Sequence, residues 1–193
     1  MTQRVFVDSN VLASRTLRDW IFLLRLQTQS MFQLHSTPDV IAEAIRAWRR
    51  LNPTADGGVG VALDARLREN LDEVLMDFRG DIPFAGSDPD DQHVHAAAVS
   101  TKADILLTAN LRDFGQPEIL PYELQTPDEF LVLVDNSSPM LVRAVVREQN
   151  GYWQGRRANG HDVKSLEQAL VDAGCPEFAD KVRDHLRLLS GIR

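Results

Sequence analysis

The residues best suited to chemistry in this chain are aspartates, and the first of them, Asp8, stands at the end of the run Val5-Phe6-Val7. Three consecutive apolar β-formers predict a central strand covered on both faces. Neither Asp8 nor Asn10 can be buried there unpaired, so both belong at its C-terminal edge. In open α/β sheets that edge is where ligands bind. The same two residues could instead do no more than cap a helix beginning near Val11.

Acids able to join Asp8 come from three places. On a wheel of about 100° per residue, Val40, Ile41, Ala44, Ile45 and Trp48 share one face, and Glu43 lies roughly 130° from its centre. Glu43 therefore faces outward, where it could equally pair with Arg46. Ser87-Asp88-Pro89-Asp90-Asp91 sets three acids within four positions, a repulsion that a divalent cation would relieve. Alternatively, Asp88 is an N-cap, Pro89 the first helical residue and Asp91 an acid favoured by the helix dipole. Finally, Thr108, Asn110 and Asp113 place a hydroxyl, an amide and an acid just beyond the apolar run Ile105-Leu106-Leu107, where any of them could cap the next turn.

Carboxylates that hold one or two divalent ions can activate water and stabilise charge on the phosphoryl and leaving oxygens of a phosphodiester. Oxygen donors without thiols or clustered imidazoles favour Mg²⁺ or Mn²⁺ over zinc. His93 and His95 follow Asp91 by two and four residues and point in different directions on one helix, so a structural or surface role is expected of both. No glycine-rich phosphate loop is present, and no serine hydrolase spacing can be recognised. A phosphatase using Asp8 as nucleophile would want a second acid where Asn10 stands.

The elements that must position these groups alternate in type. The pattern predicts a helix from Val11 to Leu26 and a strand at Met31 to Leu34. A helix then runs from Thr37-Pro38-Asp39 to about Leu51, with a loop over Asn52 to Gly60 and a helix from Val61 to Phe78 after it. Beyond the break at Asp81 to Asp90 come a helix to Thr101, a strand at Ile105 to Leu107 and a short strand near Ile119-Leu120. Such an order implies a parallel sheet. Past Thr126 only helical segments are expected, at about 127–135, 139–150 and 163–189, with a loop at Asn150 to Gly160 and a stop and restart at Gly174-Cys175-Pro176.

Composition sets the surroundings. The 193 residues are 44% hydrophobic, enough for a real core in one domain with an appendage. The single cysteine, Cys175, excludes internal disulfides and Cys-rich zinc sites. With no basic-then-apolar leader and no membrane-length apolar run, the chain is expected in the cytoplasm, without membrane contact. A net charge of −7 argues against indiscriminate nucleic-acid binding, although local arginines could still face phosphates.

The stretches VFVDSNVL, TPDVIAEAIRAWRR, DPDDQHVHAAAV and ADILLTANLRDF resemble, in order and spacing, the PIN-domain nucleases, most closely the VapC-type ribonuclease toxins of bacterial toxin–antitoxin pairs. The resemblance covers about residues 3–125. It implies a three-layer α/β/α PIN-like domain with a central parallel sheet at 1–126 and, more weakly, an all-helical C-terminal extension at 127–193. Carried over residue by residue, it implies Asp8, Glu43, Asp91 and Asp113 as catalytic acids, with Asn10, Thr108 and Asn110 supporting them. Asp8, Asp91 and Asp113 would be the metal ligands, and Glu43 a further ligand or a water-positioning base. Where many such domains carry an aspartate this chain has Asn110, so the fourth acidic role passes to Asp113. The implied function is cleavage of RNA with Mg²⁺ or Mn²⁺, restrained by a cognate antitoxin protein, with a homodimer left open. A catalytically silent RNA- or protein-binding module and a single-strand DNA or flap nuclease are the alternatives.

Arg46 and Arg50 share the outward face of the Glu43 helix, roughly 60° and 20° from Glu43, and are the first candidates to hold RNA. Arg15, Arg18 and the Arg156-Arg157 pair come next.

Overall fold

The computed structural model describes residues 2–28 and 31–191. Strand β1 (Gln3–Val7) lies at the centre of a five-stranded parallel sheet. β2 (Phe32–Ser36) and then β3 (Glu73–Val74) extend it on one side, and β4 (Ile105–Leu107) and then β5 (Glu123–Gln125) on the other. Val5, Phe6 and Val7 are fully buried, as a strand covered on both faces requires. They align with Ile105, Leu106 and Leu107 of β4, while Gln3 to Phe6 align with Phe32 to His35 of β2. The chain leaves β1 toward β2 and later returns to β4 on the opposite side. The strand order therefore reverses between β1 and β4, which is where such sheets open a crevice at their C-terminal edge.

Helices α1 (Ser9–Ala13) and α2 (Arg15–Thr28) come directly after β1. The single helix expected from Val11 is broken at Ser14, whose backbone is extended and whose hydroxyl accepts from Leu17 N. Arg18, buried in α2, donates to the Leu12 carbonyl at 2.7 Å and so ties the two short helices together. α3 (Pro38–Leu51) starts where expected, with the Thr37 hydroxyl accepting from Val40 N and proline in the first turn.

α4 spans Gly57–Asn70, so it begins before Val61 and ends well before Phe78. The residues after it enter the sheet as β3, which the sequence pattern misses because a two-residue edge strand needs no apolar run. The last strand likewise sits at Glu123–Gln125 rather than Ile119-Leu120, which belongs to a 3-10 turn at Pro117–Ile119 and its cap. α5 (Gln92–Ser100) lies between these regions and is preceded by a 3-10 turn at Pro89–Asp91.

A capping box at Thr126 and Glu129 opens the helical C-terminal region. It comprises α6 (Pro127–Ser137), α7 (Pro139–Ala158), α8 (Leu166–Asp172) and α9 (Pro176–Leu189). The loop expected at Asn150 to Gly160 is instead the last turns of α7. Gly151 and Gly155 stay helical although each costs about 1 kcal/mol relative to alanine, because α7 packs along α2. Edge-on contacts of Phe130 with Phe32 and of Phe178 with Trp20 join this region to the core beneath the sheet. No helix among the described residues is long and apolar enough to cross a membrane.

Candidate active site

Asp8 leaves β1 at the reversal point and is held there by β4. Its backbone N–H donates to the Leu107 carbonyl at 3.0 Å. One carboxylate oxygen, Oδ2, accepts from Thr108 Oγ1 and from Asn10 Nδ2, both at 2.7 Å, while Oδ1 accepts from Ser9 N. Asn10 in turn accepts from Ala109 N at 3.0 Å, so the ends of β1 and β4 are latched across the crevice by three polar side chains. Asp8 does cap α1, and its other carboxylate oxygen faces Thr108 at the end of β4. Burial pushes its carboxyl above the ordinary range, against the Thr108 and Ser9 hydrogen bonds that favour the charged form.

Three further acids gather beside it. Asp88, Asp91 and Asp113 are each half-buried, and each offers an oxygen lying within 4.8 Å of the others. Burial first, then the charges of Asp8, Asp88 and Asp113, push the Asp91 carboxyl up to about 7. Backbone packing makes this convergence. Ser87 N–H donates to the Asp113 carbonyl at 3.0 Å, and a Cβ on Gly86 would collide with that carbonyl and with the Phe84 ring. Gly115, at φ +83°, turns the chain directly against Ala85. The loop before α5 and the turn after β4 can touch only because both positions are glycine. Asn110 donates to Asp113 Oδ2 and fixes that carboxylate from its own turn.

Glu43 stands across a hollow of about 280 Å³ lined by Asp39, Ala42, Glu43, Arg46 and His93. His93 Nε2 lies 3.4 Å from Glu43 Oε1, within ion-pair reach but not hydrogen-bonded, and that nitrogen is buried. Its Nδ1 is 2.8 Å from the Asp90 carbonyl, and because a carbonyl can only accept, Nδ1 carries the proton. His93 thus bridges the Glu43 helix to the acidic turn.

Of the four acids predicted to be catalytic, Asp91 and Asp113 share the cluster, Asp8 adjoins it and Glu43 faces it through His93. Asn10, Thr108 and Asn110 make the hydrogen bonds described above. Two residues take a larger part than their sequence context suggests. Asp88 has the context of a cap; it does accept from Asp90 N at 3.0 Å, but it also joins the cluster. His93, expected to be structural or at the surface, stands between the Glu43 helix and the acidic turn, with Nε2 3.4 Å from Glu43 Oε1 and Nδ1 on the Asp90 carbonyl. The signal for Asp88 is Gly86 two residues before it, and for His93 it is the turn that brings Asp90 beneath the ring. His95 is structural as expected, buried with Nδ1 2.8 Å from the Tyr122 hydroxyl. Arg46 lines the hollow and Arg50 is exposed farther along α3.

Chemically, the donor set fits a hard divalent cation. It consists of carboxylate oxygens close enough to repel one another, with no thiol or imidazole among them, and a cation would offset both the burial and the repulsion that raise Asp91. A parallel α/β/α fold thus brings carboxylates that could hold a divalent cation to the strand-order reversal. The PIN domain family model matches residues 4–112, more than half of the chain, and the chain belongs to the PIN domain family. PIN domains are usually metal-dependent nucleases, and the acidic cluster is compatible with that activity. No curated protein and no solved structure matches the chain.

Proposed function

We propose that this protein is an endoribonuclease of the VapC type, a toxin that cleaves RNA phosphodiester bonds and is restrained by a cognate antitoxin. The observation that carries the reading is the convergence of Asp88, Asp91 and Asp113 beside Asp8 at the sheet edge. Asp91 and Asp113 would hold Mg²⁺ or Mn²⁺, with Asp88 completing the set and Asp8 contributing from β1. Such an ion supplies charge stabilisation for the phosphoryl and leaving oxygens and makes water more acidic. Thr108 and Asn10 hold Asp8 in one rotamer, and the Ser87–Asp113 backbone contact holds the other side of the cluster. Glu43 Oε1 can take a proton from water in the hollow, and His93 Nε2 stands next to it to share that proton.

Matched RNA and single-stranded DNA strands test the substrate. Cleavage of RNA alone is expected. Cleavage of DNA alone would make the protein a DNA or flap nuclease, and cleavage of neither a binding module. Expression without the antitoxin should slow growth of the native host; unaffected growth at high expression would remove the toxin role and leave the nuclease.

Arg46 supports an RNA path along α3, since it lines the hollow with Glu43, while Arg50 continues the same exposed face. The double change Arg46→Ala/Arg50→Ala should weaken RNA binding about equally for all sequences. It should also reduce the salt dependence by about 0.7 in log–log slope per lost phosphate contact. A salt series on catalytically inactive protein measures this, and an unchanged slope and affinity would take α3 off the RNA path.

A further inference from the structure

The cations left outside the acidic site, Arg15 and Arg156 among them, meet in a second place. A cleft of about 300 Å³ lies between the first turns of α2, the end of α7 and the segment entering α8. Trp153 and the buried Trp20 line it, Arg15, Arg156 and Lys164 supply its positive charge, and Gln149 and Ser165 supply polar groups. From this geometry we infer that the cleft is a nucleotide-binding subsite, which takes an unpaired base of the substrate strand against Trp153 and its flanking phosphate against Arg15 and Arg156. The inference rests on the nuclease reading for the identity of the strand, and it adds a binding site built from α2, α7 and the segment entering α8.

Four observations support it. First, an aromatic face bordered by guanidinium groups is what single-stranded nucleic acid uses, with the base stacked and the phosphate paired, often bidentately. The volume is at the small end of ligand pockets, which span about 300–1,000 Å³, and suits one nucleotide. Second, the lining carries Arg15, Arg156 and Lys164 against Asp19 and Asp162, a positive balance against the trend of the chain. Of the α7 arginines it is Arg156 that lines the cleft, in a protein whose net charge is −7. Third, Arg156 Nε is buried without a hydrogen-bond partner among the described residues, so its guanidinium retains a donor to satisfy. Fourth, the cleft is mechanically joined to the catalytic edge. Arg15 opens α2 directly after α1, Asp8 caps α1, and Arg18 ties α2 to the Leu12 carbonyl.

Asp19 and Asp162 also line the cleft, and they shape what it can accept. Arg15 is 3.5 Å from Asp19 and Lys164 pairs with Asp172, both at exposed positions. Exposed pairs of this kind are held weakly and can be exchanged for a phosphate. The aspartates remain as hydrogen-bond acceptors for a base edge or a 2′-hydroxyl. Tyr152, half exposed, stands edge-on to Trp153 with ring centroids 5.4 Å apart, and Trp153 is itself partly buried against the core.

The test uses full-length protein carrying Asp8→Asn, which retains substrate without cutting it, and a fluorescent single-stranded ten-nucleotide RNA in chelator. Trp153→Ala should weaken binding about tenfold or more, within the range of roughly 5- to 150-fold that loss of one stacked base corresponds to. Trp153→Phe should restore most of it. Arg156→Ala, at a side chain that is not part of the core, should weaken binding and lower the salt slope by about 0.7. That variant keeps the test independent of any packing lost with Trp153. Unchanged affinity and slope in folded Trp153→Ala and Arg156→Ala proteins would overturn the subsite. If the same changes instead abolished binding of an acidic peptide, the cleft would be a protein-docking site and the proposal would fall. Protein that binds RNA through the cleft but never cleaves would break the nuclease reading alone; cleavage with RNA affinity untouched by the cleft variants would break the subsite alone.

Discussion

Asp8→Asn protein should fold normally and lose RNA cleavage by about 10²–10³-fold or more, the scale on which removal of one preorganised charge-stabilising group acts. Asparagine keeps the size of the side chain and can still accept from Ser9 N and cap α1, but its amide NH2 then replaces the Oδ2 that accepts from Thr108 and Asn10, so the Asn10 Nδ2 contact is lost. What it removes is the negative charge adjoining Asp91, and with it part of the attraction for a divalent ion. The folded state should lose no more than about 1 kcal/mol, the ordinary net worth of one hydrogen bond. Burial already pushes the Asp8 carboxyl above its ordinary range, so a neutral residue is easier to bury there than the carboxylate. Single-turnover cleavage together with a thermal melt separates the two effects. Full activity in folded Asp8→Asn protein would remove Asp8 from the mechanism.

Asp91 leads to a pH-dependent expectation for stability. Its carboxyl titrates at about 7 in the metal-free fold against an ordinary value of 3.8, so the native state binds its proton more tightly than the unfolded chain does. This contribution is fully present below about pH 4 and is lost as pH rises through about 7. Metal-free Asp91→Asn protein should therefore be more stable than wild type at pH 8, with the difference shrinking toward pH 4. Saturating Mg²⁺ or Mn²⁺ should reverse the order. Ligand at a hundred times its dissociation constant stabilises the native state by about 2.7 kcal/mol, and only a protein with an intact site gains it. Urea unfolding at the two pH values, with and without metal, reads both effects. An Asp91→Asn protein less stable than wild type at pH 8 without metal would contradict the repulsion described for the cluster.

The parts of the fold that could be read in the sequence are those decided locally. Val5-Phe6-Val7 must be a covered strand, Asp8 must then emerge at its edge, and Thr37-Pro38-Asp39 starts a helix whose apolar stripe turns Glu43 outward. What could not be read depends on distant contacts. Asp88 joins Asp113 through two glycines 29 residues apart, at positions 86 and 115, whose backbones must touch, a relation with no periodic signal. β3 and β5 are edge strands with exposed glutamates, Glu73 and Glu123, where burial does not impose alternation. α7 runs on through Gly151 and Gly155 because α2 offers it a packing surface, overriding a local preference for a loop. That continuation brings Trp153 and Arg156 to Arg15, residues that the sequence pattern leaves in unrelated segments.

The central claim, that carboxylates at the sheet edge hold a divalent ion used to cut RNA, is tested most directly by metal removal and return. Purified protein is stripped with excess chelator, incubated with labelled RNA, and then given Mg²⁺ or Mn²⁺ in excess of the chelator. RNA should stay intact before the addition and be cleaved after it. Undiminished cleavage in excess chelator would contradict the claim.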